Sequence, residues 1–255
     1  MIFETHAHYD DRQFDEDRDD LLRSLPGAGI DKVVNIGASM GSNQQTLELI
    51  KQYDFVYGVL GIHPNDTDQL EEAGLEWLEE ACKHPKCLAI GEIGLDYYWD
   101  EPDREIQKKW FRRQLNLARK MHLPVVIHSR DAAQDTIDIM KEEKAQEIGG
   151  VIHCFSYTKE TAKIFLDMGF YIGVGGVITF SNGKKLKEAV EEIPMDRIVL
   201  ETDCPYLAPV PFRGKRNSSL NLTYVVEAIA EIKGISKEEV ERITYDNAKR
   251  LYRMA

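Results

Sequence analysis

Eight short runs rich in β-branched residues recur along the whole chain, separated by longer amphipathic stretches. They are Ile2–Thr5, Lys32–Ile36, Val56–Gly61, Leu88–Ile93, Val125–His128, Val151–Cys154, Tyr171–Val174 and Ile198–Thr202. The intervals of about 20–36 residues each leave room for a crossover helix, the connection that parallel strands need. Helical patterns fall over Gln44–Gln52, Arg104–Met121 and Ala132–Lys144, and Ser236 with Glu239 forms a capping-box signature for a last helix. This pattern predicts a single α/β domain over residues 1–255, a (β/α)8 TIM barrel with an additional C-terminal helix. No G-x-G-x-x-G opens the first helix, which weakens a dinucleotide-binding doubly wound sheet.

Composition narrows the class of protein. A hydrophobic content of 43% with 30% charged residues is ordinary for a globular chain. No apolar run approaches the roughly 18 residues of a membrane span. The opening MIFETHAHYDD lacks a basic stretch followed by an apolar one, so a cytoplasmic location is expected. Cys82, Cys87, Cys154 and Cys204 are expected to be free thiols. Cys82 and Cys87 flank His84, but with no second Cys/His pair they make a poor zinc clip. The formal charge of −12 argues against a general nucleic-acid coat, because duplex binding rests on phosphate neutralisation. A polyanionic substrate would need locally concentrated positive charge, which bound metals supply.

Histidines and acids fall at the ends of these runs. His6 and His8 follow the first as H-x-H, and residues two apart share a strand face and can chelate one ion. Glu92 ends the fourth run, His128 the fifth, His153 the sixth and Asp203 the eighth. C-terminal strand ends are the face that carries catalysis in such barrels. One such histidine alone would more often be a structural group. Four of the seven histidines at the ends of three strands, joined by two acids, point to a metal centre instead. His84 and His122 lie in helical or loop context and are set aside. Four imidazoles and two carboxylates suit Zn, Mn, Co or Fe, with Mg less favoured. Six ligands exceed what one catalytic ion uses, so two divalent ions bridged by Glu92 are expected.

The segments ETHAHYD, GIHP, GEIGLDYYW, LPVVIHSRDA, HCFS, GVGGVITF, ETDCPYLAP, FRGKRN and NAKRL resemble, in order, the motifs of the TatD-type metal-dependent deoxyribonucleases. That family is a branch of the amidohydrolase-like barrels. The resemblance implies that His6, His8 and Asp203 hold one metal and His128 and His153 the other, with Glu92 shared. It implies nuclease activity that trims DNA from a 3′ end, so single-stranded or frayed DNA ends are the expected substrate. Three positions depart from the family pattern: Glu4 stands for an Asp, Asn65 for a His, and Ser218 followed by Ser219 for a Glu. Asn65 and Ser218 are expected in loops that shape the pocket.

Around the ligands, alternation puts Glu4 on the face of His6 and Glu201 on the face of Asp203, where each could orient a histidine N–H. His63, Arg130 and Arg213 are candidate substrate contacts, the arginines because a guanidinium fork matches phosphate oxygens. Lys215 and Arg216 extend the basic stretch around Arg213. Tyr97, Tyr98 and Trp99 could stack a base, with rim packing as the plainer alternative. Cys154 and Cys204 alternate away from the ligands. The expected reaction is phosphodiester hydrolysis by a water activated between two metals, with Asp203 as ligand and base and Glu92 as bridge. Amidohydrolase-like cleavage of an ester, lactone or amide is the alternative. A metal-stabilised nucleic-acid or protein binding module is the non-enzyme reading. Neither a membrane nor an obligate protein partner is expected.

Overall fold

All eight apolar runs become strands in the computed structural model, which describes residues 1–99 and 101–254. The strands are β1 (Ile2–Ala7), β2 (Ile30–Ile36), β3 (Val56–Leu60), β4 (Cys87–Asp96), β5 (Val125–Arg130), β6 (Gly150–Ile152), β7 (Tyr171–Val174) and β8 (Ile198–Leu200). They pair in parallel in sequence order, β1 to β8. Backbone bonds at the seam bring the last strand round to the first: Asp203 N donates to His6 O at 2.9 Å and His8 N to Cys204 O at 2.8 Å. The result is a nearly closed (β/α)8 barrel, as expected.

Helices α1 (Arg18–Ser24), α2 (Met40–Gln52), α3 (Glu72–Ala81), α4 (Arg104–Met121), α5 (Ala133–Glu142), α6 (Lys159–Asp167), α7 (Lys184–Glu192) and α8 (Leu222–Lys233) connect or follow the strands. The last, α9 (Lys237–Leu251), opens on the expected cap, with Ser236 Oγ accepting from Glu239 N at 3.1 Å. No helix among the described residues is long and apolar enough to cross a membrane.

Two apolar clusters hold these layers. Leu115, Phe111, Ile127 and Ile152 belong to the larger one, where helices cover the strands. Val59, Val126, Val151 and Val199 belong to a second, with Ala248, Leu251 and Tyr252 from the end of the chain. Alternation puts Val126 on the face of His128, Val151 on that of His153 and Val199 on that of Glu201. This second cluster is therefore the floor on which the polar site is built. The additional helix is part of that floor, since Tyr252 Oη donates to Thr5 O at 2.8 Å.

Several strand ends differ from expectation, most of all in β4. It runs on to Asp96, because Gly94 (φ +145°) lets the strand approach β5 where an added Cβ would lie 1.9 Å from His128 O. β6 and β8 stop short of His153 and Asp203. Those residues are nonetheless fixed by backbone bonds, His153 N donating to Ile127 O at 3.0 Å.

Candidate metal centre

Six of the expected residues meet at the C-terminal mouth of the barrel. His6 lies within β1 and His8 just beyond it, Glu92 within β4, His128 within β5, and His153 and Asp203 just past β6 and β8. A cavity of about 850 Å³ opens above them, with His8, Glu92, His128, His153 and Asp203 on its wall. His6 is buried at its base.

The two oxygens of Glu92 face different histidines. Oε2 lies 3.4 Å from His6 Nε2 and 3.8 Å from His8 Nε2. Oε1 lies 2.6 Å from His128 Nδ1, 3.1 Å from His153 Nε2 and 3.8 Å from His63 Nε2. Asp203 Oδ1 completes the first side, 3.3 Å from His8 Nε2 and 3.6 Å from His6 Nε2. The His6 and His153 rings stack at 3.7 Å and join the two halves. His6, His8 and Asp203 form one group that could hold an ion, and His63, Glu92 and His128 another.

What engages the far nitrogen of each ring sets which nitrogen is free. His8 Nδ1 donates to Ile36 O at 2.9 Å, which turns Nε2 toward the cluster. His128 Nε2 faces Asp96 Oδ2 at 3.1 Å, which leaves Nδ1 turned to Glu92. His153 Nδ1 lies 3.4 Å from Glu201 Oε1 and presents Nε2 inward. Each is a ring oriented by an outer acceptor, the arrangement that tunes metal-binding histidines. His63 is the reverse case. Its Nδ1 accepts from Asn65 N at 3.2 Å, so the neutral ring carries its proton on Nε2, toward the cavity. Burial, helped by the charge of nearby His128, drives the His63 pKa down to about 3.

Charge is balanced inside the cluster. Burial pushes the Glu92 carboxyl up, but the charge of His153 and bonds from His128, His153 and His6 hold it well below its ordinary value. Burial pulls His8 down, yet its contacts with Asp203 and Glu92 raise it to about 9. His153 is likewise raised by Glu92 and Glu201 against the pull of burial. His6 is lowered by burial and the charge of His153, its neighbour in the stack.

This chain and its barrel have close counterparts. The family model of the TatD related DNases matches residues 3–253. The chain belongs to the TatD-related DNase family. An uncharacterized metal-dependent hydrolase of Bacillus subtilis (strain 168), YabD, is 45% identical over 254 residues, with 100% of both chains covered. A protein of Shigella flexneri serotype 5b (strain 8401) named 3′-5′ ssDNA/RNA exonuclease TatD is 31% identical over 259 residues, again with 100% of both covered. The crystal structure of YJJV, a TatD homolog from Escherichia coli K12, superposes with a TM-score of 0.93 at 29% identity, covering 100% of this chain and 98% of that one. The protein is thus a metal-dependent hydrolase of the TatD family.

Around this TatD-family centre the structure corrects several expectations. Glu201 does face the His153 ring, and Gly173 makes room for it, since a Cβ there would lie 2.2 Å from Glu201 Oε2. Glu4 touches no ring nitrogen. It accepts instead from His6 N at 3.2 Å, Thr202 N at 2.9 Å, Thr202 Oγ1 at 2.7 Å and Ser219 Oγ at 3.0 Å. Burial outweighs these bonds and lifts its pKa to about 8. The longer acid Glu4 thus reaches Ser219, the residue next to the departure at Ser218. Ser218 is not on the cavity wall, whereas Asn65 is.

Arg130 lines the cavity and stacks on Tyr98, 3.8 Å from its ring centroid. Arg213 lies outside it, in a neighbouring groove, and Arg216 is bound to Asp17 by a two-pronged bond at 2.7 and 2.5 Å. Tyr97 packs with its hydroxyl on Asp135 Oδ2 at 2.6 Å, while Tyr98 and Trp99 stand exposed at the rim. Cys154, expected to point away, lines the cavity because its φ of +45° breaks the alternation. Burial raises its thiol, so it stays protonated and a poor ligand. Cys82, Cys87 and Cys204 are buried free thiols. Sequence reasoning misses Asp96 altogether. It shares the face of Glu92, and its Oδ1 holds Tyr98 N at 2.9 Å and Trp99 N at 3.3 Å while Oδ2 takes His128.

Proposed function

We propose that the protein is a two-metal nuclease that hydrolyses phosphodiester bonds at the ends of single-stranded DNA. The observation that carries this reading is the Glu92 carboxylate, with one oxygen toward His6 and His8 and the other toward His128 and His153. The donor set fits divalent ions. The inward nitrogens of His6 and His8 lie 3.2 Å apart and, with those of His128 and His153, converge on the carboxylates of Glu92 and Asp203. His6, His8 and Asp203 would hold one ion and His128 and His153 the other, with Glu92 shared. Bound ions would supply Lewis acidity, making a water acidic near neutral pH and offsetting charge on the phosphate oxygens.

The chain's own groups do the rest. Burial raises the Asp203 carboxyl, but contact with His8 and the charges of His153 and His6 hold it below its ordinary value. It is therefore ionised, on the cavity wall, and accepts the proton of the attacking water. His63 offers Nε2–H to the leaving oxygen. Arg130 presents its guanidinium to a phosphate, and Trp99 a ring to an unpaired base. The family description and the exonuclease name of the Shigella relative support phosphodiester as the bond and single strands as the polymer.

The test is incubation of 3′- and 5′-labelled single-stranded DNA and RNA with Mg, Mn or Zn, beside a panel of lactones and esters. Stepwise loss from the DNA 3′ end is expected, and Asp203→Asn should lower it at least about 100-fold with the circular dichroism spectrum retained. Hydrolysis of a lactone or ester with intact oligonucleotides would overturn the reading. Full activity in Asp203→Asn would remove that residue as the base.

A further inference from the structure

Beside the main cavity lies a second groove of about 500 Å³, within the range of roughly 300–1,000 Å³ that holds small ligands. Tyr206 and Leu207 line both recesses, so the two adjoin at the rim. The groove's remaining wall includes Phe180, Gln13, Arg213 and Lys215.

Its electrostatics are unlike the rest of the molecule. The chain has 44 Asp and Glu against 32 Lys and Arg, yet among the described residues no carboxylate lines this groove. Across the main cavity, the loops after β1 and β3 place Asp10, Asp11 and Asp66 on the wall. Arg216 also reaches the groove, but its guanidinium is taken by Asp17. Arg213 instead lies over the Phe180 ring at 4.4 Å, and neither it nor the exposed Lys215 has a carboxylate partner among the described residues. A polyanion leaving the metal centre is repelled on the β1–β3 side and drawn toward β8.

The groove is also held in shape. Asn217 Nδ2 ties Thr202 O at 3.1 Å to Tyr206 O at 2.8 Å, and Thr179 Oγ1 accepts from Val210 N at 2.9 Å. The Tyr206 hydroxyl donates to Asp11 Oδ2 at 2.7 Å, which fixes its ring between the two recesses while 48% of the residue stays exposed.

We propose that this groove is a second nucleotide subsite: Arg213 and Lys215 hold the phosphate next along the strand from the one that is cleaved, and the Tyr206 ring stacks the base between them. The proposal rests on the nuclease reading above. A dinucleoside monophosphate has only one phosphate and cannot fill the groove, whereas a tetranucleotide can, so the enzyme should prefer the longer chain.

The experiment compares kcat/KM on a thymidine dinucleoside monophosphate and a thymidine tetranucleotide, for the wild-type protein and for Arg213→Ala/Lys215→Ala. The double variant should lose at least tenfold of the preference for the tetranucleotide. In parallel, fluorescence anisotropy of a labelled tetranucleotide with chelated protein should show weaker binding, and a plot of log K against log salt that is shallower by about 0.7 for each phosphate the variant no longer neutralises. An unchanged preference, or equal losses on both substrates, would overturn the subsite. If the wild type cleaves neither substrate, the nuclease reading falls, and the anisotropy arm decides the groove: it stands if the variant loses binding and falls if wild type and variant bind alike.

Discussion

At the floor of the cavity, five imidazoles lie within 3.8 Å of one carboxylate, and at its rim Trp99, Tyr98 and Tyr206 are each about half exposed. The floor side chains are oriented by outer partners: His8 by Ile36 O, His128 by Asp96 and His153 by Glu201. The rim side chains make few bonds, and water screens them. Buried charges cannot be left uncompensated, so a change at the floor propagates through the whole cluster. A change at the rim removes one screened interaction and little else. On the proposed function, reaction chemistry belongs to the floor and substrate choice to the rim, and substitutions in the two regions should differ in both size and kind.

The largest effect should come from Glu92→Gln. Partners that merely orient a metal ligand are worth about 10–100-fold. Removing the carboxylate that both histidine sets face should therefore cost more than about 100-fold in turnover. Metal content, measured on the purified variant by elemental analysis, should fall with it. Retention of both full metal content and turnover would remove Glu92 from the centre and with it the two-metal reading.

Asp96→Asn sharpens the comparison, because Asp96 belongs to both regions. Its Oδ1 holds the backbone of Tyr98 and Trp99, a role the amide oxygen of Asn can keep. Its Oδ2 faces His128 Nε2, where the amide would present a donor to a donor and release the ring. A loss of about 10–100-fold in metal affinity or turnover is expected, by calorimetric titration and initial rates, with much less change in KM. A rise in KM alone would place Asp96 with the rim.

How much of this the sequence carries follows the same division. Parallel barrel strands are buried on both faces, so they read as β-branched runs even without an alignment. The candidate ligands stand out because they sit where those runs end. Asp96 escapes notice because the β-branched run stops at Ile93. Gly94 breaks the pattern there, for a reason that lies in the neighbouring strand: only a glycine fits against His128 O. Alternation places Glu4 correctly on the side of His6. Its partners, Thr202 and Ser219, lie about 200 residues away, and spacing in the chain says nothing about them. Similarly, the basic stretch from Arg213 to Arg216 gives no sign that Arg216 is held by Asp17 while Arg213 stacks on Phe180.

The smallest effect should come from Trp99→Ala at the rim. The residue is 57% exposed, and its link to the floor is through its backbone N–H on Asp96, which alanine retains. Only the ring is removed. Base stacking is worth about 1–3 kcal/mol per base, and the lower end suits a ring this exposed, or roughly fivefold in KM for a single-stranded oligonucleotide. Trp99→Phe should recover most of that, since any aromatic face can stack a base. Steady-state kinetics on one oligonucleotide with all three proteins separates the cases. If Trp99→Ala lowers kcat as far as Asp96→Asn does, the ring acts on the metal ligands through the 97–99 turn, and floor and rim are one mechanical unit.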